Sequence, residues 1–195
     1  MKEALRMGGI VNLLATGYRA HELNIFNQKH EAIPYIKAAA TSRLVPLLED
    51  GLEWLLSPGG YGFDLWAVEA ALELKRDYPQ LKVSILTAYA NVDEKWKDDR
   101  KLYYEELLRQ VDHHASVSKQ PYEGVWQLTA RDSLLVRKSD AMLLFYDEEM
   151  GEGSPRYFKE RALKRQETGD DYPLLTISAE TVQSIADDAR SAAFE

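Results

Sequence analysis

At 195 residues, with 45% hydrophobic and 29% charged positions, the chain has the balance of a globular protein and room for one well-filled α/β domain. It contains no cysteine, which excludes disulfides, thiolate metal sites and cysteine nucleophiles and fits a reducing cytoplasm. Its formal charge of −8, from 24 basic and 32 acidic residues, argues against a nonspecific nucleic-acid binder, because the phosphate backbone would be repelled.

Residues 1–8 read as a short leader, and 9–195 as one domain. The apolar run 10–15 is too short for a signal-peptide core or a membrane span, so a cytoplasmic protein without a membrane partner is expected. Residues 9–15 predict a first buried strand, followed at once by a loop of Thr16, Gly17, Tyr18 and Arg19. A loop at the end of such a strand is a place to meet a ligand, and there Thr16 can hydrogen-bond a phosphate or carboxylate that Arg19 pairs with. His21 and Glu22 follow without a third partner for acid–base or metal chemistry.

Apolar residues at Ile33, Ile36, Ala40, Leu44 and Leu47 predict a helix over 31–49, with Pro34 in its first turn and Pro46 kinking or ending it. Gly51 stops this helix, and 52–56 form a second strand. The stretch from Ser57 to Glu69 then carries a glycine-rich turn into a helix over 64–77. Gly59, Gly60 and Gly62 stand where a strand becomes a helix, a position at which bare backbone and free helix N–H groups can cradle a phosphate. On the helix, Leu65, Val68, Ala71 and Leu72 share a core face, while Trp66, Glu69 and Glu73 lie along another that faces solvent or lines a cleft.

The alternating run 82–87 predicts a third strand. Residues 91–109 form a charged helical region in which Trp96, Tyr103 and Tyr104 mark a partly buried face or a lid. Residues 113–118 predict a short strand on which His113 and His114 point to opposite faces, so they do not share an ion, and no metal site is expected. A helix over 124–137, a central strand over 141–146 and an acidic, glycine-bearing loop over 147–155 follow. Ser154 and Pro155 are read as cap and first turn of a helix over 156–166, making Gly153 and Ser154 a second candidate anion site. A last strand over 172–177 and a helix over 178–193 capped by Ser178 close the chain. Strand-like runs alternating with helices predict an α/β, three-layer, Rossmann-like sandwich with a mostly parallel sheet, whose ligand lies outside the carboxyl ends of the strands.

These residues also carry a resemblance. Thr16, Gly17, Tyr18 and Arg19, then Glu22, Leu23, Ile25 and Phe26, then Gly51 to Trp54, Gly59, Gly62 to Ala67, Glu69, Tyr78, Pro79, Lys138 to Asp140 and Gly153 to Tyr157 closely resemble the YpsA family of Gram-positive bacteria, across nearly the whole chain after the leader. That family is placed in the SLOG superfamily with the DNA-processing protein DprA and the LOG phosphoribohydrolases. The resemblance implies a Rossmann-like fold and a nucleotide-derived ligand of ADP-ribose or NAD type, with Gly62 and Asp64 as the key glycine and acidic positions. It further implies a role in division or stress signalling in Firmicutes, with a division-machinery protein as partner.

Compared with the LOG signature, Phe63 stands at the threonine position and Trp66 at the glutamate position. N-glycosidic cleavage needs a carboxylate that tryptophan does not supply. Asp64 is the nearby substitute, and it equally suits capping its helix or accepting ribose hydroxyls. The first expectation is therefore a nucleotide-binding or sensing protein, in which Trp66 or Tyr61 stacks on a ring. Two alternatives stay open: a LOG-like phosphoribohydrolase or NAD-type glycohydrolase using Asp64 or Glu69, and a protein-interaction module or DprA-like DNA binder. Homo-oligomerisation is open as well.

Overall fold

The computed structural model describes residues 9–193, so the leader at 1–8 lies outside the described residues. Six strands, β1 (Asn12–Gly17), β2 (Trp54–Ser57), β3 (Lys82–Thr87), β4 (His113–Ser116), β5 (Ala141–Phe145) and β6 (Leu174–Ile177), make one sheet. Every pairing is parallel, and the order is β4-β3-β2-β1-β5-β6. The central strands are buried on both faces, and β5 accordingly reads as a continuous apolar run without alternation.

The helices are α1 (Ala32–Glu49), α2 (Phe63–Leu74), α3 (Asp98–Gln110), α4 (Val125–Lys138), α5 (Arg156–Glu167) and α6 (Ala179–Ala192). Right-handed crossovers place α1, α2 and α3 on one face of the sheet, where α6 packs on α1, and place α4 and α5 together on the other. The result is a Rossmann-like three-layer sandwich. Its largest buried side chains include Trp66, Phe63, Tyr172, Leu13 and Leu55.

Local signals set most boundaries. Helix α1 runs through Pro46 to Glu49, because a proline so near the C-terminus disturbs only the last turn. It then ends in a Schellman turn, with the Gly51 amide donating to the Leu48 carbonyl and the Leu52 amide to that of Leu47. Strand β1 extends further than expected, taking in Thr16 and Gly17, because both pair with β5. Helix α3 starts only at Asp98, with turns over the preceding residues.

The strand order reverses between β1 and β5: chain order runs outward through β2, β3 and β4 on one side and through β6 on the other. The crossover loops diverge there and leave a crevice at the carboxyl edge. Helices α2, α4 and α5 all begin at that edge.

Candidate functional site

The organising side chain is Asp64, second residue of α2. Its carboxylate turns back toward the sheet instead of capping its own helix. Oδ1 accepts from the Thr16 hydroxyl at 2.8 Å and the Gly17 amide at 3.3 Å, and Oδ2 accepts from the Gly60 amide at 2.9 Å. The group thereby clips the end of β1 to the glycine turn. Burial pushes its carboxyl up to about 6, against the opposing effects of the Thr16 hydrogen bond, the Arg131 charge, the Gly60 amide and the Arg19 charge.

The glycines of this turn are required by the chain's own packing. A Cβ on Gly62 would fall 2.5 Å from the Ala20 amide nitrogen and 2.6 Å from the Tyr18 carbonyl oxygen, because the turn forms an antiparallel bridge with Arg19. A Cβ on Gly60 would meet Asp64 Oδ2 at 2.8 Å. The side chain at the LOG threonine position, Phe63, is fully buried against Phe145.

In front of Asp64 lies a cavity of about 330 Å³, between the end of β1, the first turn of α2, the loop that precedes α5 and the N-terminal halves of α4 and α5. Of the sequence-predicted residues, Thr16, Gly17, Arg19, Gly60, Asp64 and Ser154 line it, and Gly59 lines an adjoining cavity. Arg131 grips the buried Asp132 through Nε and a terminal nitrogen, at 2.8 and 2.7 Å, and Arg161 stands 3.9 Å from the other Asp132 oxygen. Leu128 and Phe158 give the cavity an apolar wall.

Other candidates stand elsewhere. Trp66 is fully buried with its indole N–H on Gln28, so it cannot stack on a ligand without unpacking the core. Glu69 accepts from Lys37 at 2.7 Å and from the Tyr103 hydroxyl at 2.9 Å, in a groove between α2 and α3 separate from the cavity. Ser154 does not cap α5, whose N-cap is Pro155. Its amide and hydroxyl both donate to Glu22 at 2.7 Å, while Gly153 packs on Tyr18 and Glu22. Burial raises the Glu22 carboxyl, but hydrogen bonds from the Ser154 hydroxyl, the Arg19 amide and the Ser154 amide outweigh it and hold the group below its ordinary value.

Sequence reasoning passed over α4 and α5, which supply Leu128, Arg131, Asp132, Phe158 and Arg161 to the cavity. A signal was available in α4. Val125, Leu128, Thr129 and Asp132 recur at helical spacing, and an acid in an otherwise apolar or uncharged stripe asks for a buried partner.

Among the described residues no group of three or more His, Cys, Asp or Glu side chains is placed to hold a metal ion, and no helix is long and apolar enough to cross a membrane. A profile described as the YspA SLOG family matches residues 13–182. The chain is 43% identical over 176 residues to a UPF0398 protein of Brevibacillus brevis, covering 90% of this chain and 93% of that protein. It is 42% identical over 171 residues to the UPF0398 protein YpsA of Bacillus subtilis, covering 88% and 94%. With a matching profile over most of its length and relatives this similar across nearly their whole chains, the protein belongs to the YpsA family of SLOG proteins.

Proposed function

We propose that the cavity at the strand-order reversal binds a nucleotide or nucleotide-derived small molecule of the ADP-ribose or NAD type. One observation carries this reading: guanidinium groups from three elements (Arg19 after β1, Arg131 on α4 and Arg161 on α5) converge with the Asp64 carboxylate around one crevice. The arginines supply counter-charge for phosphate. Asp64 and Asp132 supply acceptors for sugar hydroxyls, and Leu128 and Phe158 a surface for a ring. Calorimetric titration with NAD, ADP-ribose, cyclic nucleotides and AMP tests it. At least one ligand is expected to bind, with affinity lost in Asp64→Ala and kept in Trp66→Phe, whose side chain stays in the core. Silence across the panel at millimolar concentration sinks the reading. Release of free base during the titration, absent in Asp64→Asn, converts it from a binding protein to a hydrolase.

A further inference from the structure

Beside the cavity that holds Asp64 lies a second one, of about 220 Å³, along the carboxyl ends of β2 and β3. The two share Arg19, Gly60, Leu128 and Arg131, so they are lobes of one cleft. Their charge is sharply different. The first lobe is lined by Asp64 and Asp132 as well as by arginines. The second is lined by Arg19, Arg100, Arg131 and His21 and by no carboxylate at all, in a chain whose formal charge is −8.

Two of the three arginines there have no ion-pair partner among the described residues. Arg131 is taken up by Asp132, but neither Arg19 nor Arg100 forms an ion pair among the described residues. Arg100 lies over the ring of Tyr61, 4.2 Å from its centroid. One of its terminal nitrogens donates to the Phe26 carbonyl at 3.5 Å, while its Nε and the Tyr61 hydroxyl are both buried without a hydrogen-bond partner, and Tyr61 is only 8% exposed. Both groups can donate, and unmet buried donors cost free energy that an incoming acceptor oxygen removes. The Arg100 guanidinium beside an aromatic donor, in a cavity that Arg19 also lines, suits the oxygens of a phosphate.

We propose that this second lobe is a phosphate-chain subsite, so that the ligand is a nucleotide bearing two or more phosphates. Its sugar lies against Asp64 and Asp132, and its phosphate chain passes Arg19 to end at Arg100 and Tyr61. The proposal rests on the nucleotide reading of the first lobe and adds to it a division of labour: carboxylates in one lobe for hydroxyls, and cations with no carboxylate in the lining of the other for phosphate.

Titration of the full chain with adenosine, AMP, ADP, ATP and inorganic pyrophosphate tests it. ADP is expected to bind about tenfold or more tighter than AMP, as one added charge-assisted contact implies. Arg100→Gln should remove that advantage while leaving AMP nearly unchanged, and Arg100→Lys should recover part of it; Arg19→Gln, at a residue that lines both lobes, should weaken AMP and ADP alike. Melting temperatures of the unliganded variants report whether the Arg100 stack on Tyr61 also supports the fold, and Tyr61→Phe, which removes only the hydroxyl and should reduce the ADP advantage, keeps the test informative if it does. An ADP-to-AMP ratio indifferent to Arg100→Gln and Tyr61→Phe overturns the subsite and leaves the nucleotide reading standing. Pyrophosphate binding that is lost in Arg100→Gln, with no contribution from any nucleoside, keeps the anion lobe and sinks the nucleotide reading. No binding by any probe overturns both.

Discussion

Asp64 is a carboxyl that the fold holds partly buried between two polar anchors, Thr16 and Gly60, and its titration leaves a mark on stability. Its value in the folded protein, about 6, lies above the ordinary 3.8. Between these values the folded state binds the proton and the unfolded state does not, so stability falls as pH rises through this window and stays reduced above it. The full effect is about 3 kcal/mol at most. Glu22 acts with the opposite sign: its lowered value gives stability that is present near neutrality and lost on acidification. Comparison with Asp64→Asn cancels the Glu22 contribution, which both proteins share. Urea unfolding at pH 4 and pH 7 should therefore show the variant gaining on the wild type as pH rises; a difference independent of pH would remove Asp64 as the titrating group. The acidic position itself was legible in the sequence. Its partner Thr16 was not, because the hydrogen bond spans 48 positions and depends on how the first turn of α2 meets the end of β1.

At the scale of elements, the loop between β5 and α5 is tied to the loop after β1 by two anchors. Tyr18 places its hydroxyl 2.8 Å from the carbonyl oxygens of both Asp147 and Gly151 and accepts from the Asp147 amide at 3.1 Å. Glu22 collects the Ser154 amide and hydroxyl together with the Arg19 amide at 2.7 Å. These anchors hold one wall of the cavity in place, so the two strands at the order reversal carry a joined rim. Glu22→Ala leaves two of the rim's amides without their acceptor and should cost about 2–3 kcal/mol. Hydrogen exchange should then rise over 147–155 while β5 stays protected; equal exchange in the two proteins would show that the Tyr18 anchor alone holds the loop. The serine was expected to cap α5, a local role, and the structure gives it a long-range one. Pro155 already supplies the helix start, and a serine before it is free to face Glu22.

At the largest scale, 41 buried apolar residues among those described form one contiguous cluster running through the sheet and both helical layers. Unfolding of the described region is expected as a single cooperative transition. A ligand at a hundredfold excess over its Kd adds about 2.7 kcal/mol, which for a chain of this size raises Tm by about 5–10 °C. Calorimetric scans with the best ligand from the titrations check this, and a melting temperature unmoved at saturation would show that the ligand binds the unfolded chain as well. The formal charge of the chain is −8, yet the second lobe of the cleft is lined by Arg19, Arg100, Arg131 and His21 and by no carboxylate.

What the sequence determined by itself was the part governed by local periodicity. Apolar runs alternating with helical stripes specify a parallel α/β sheet, β3 falls over the very residues its alternation marks, and the loops after β1, β2 and β5 can be placed at one edge. Only the tertiary structure decided which side chains face the crevice. Trp66 and Asp64 lie two positions apart on one helix, and the packing of α1 and α2 over the sheet sends one into the core and the other to the cavity. Likewise α4 reaches the site because the crossover from β4 to β5 carries it back over the sheet to the strand-order reversal. Periodicity sets the faces of each element, whereas the neighbours those faces meet depend on contacts between residues far apart in the chain.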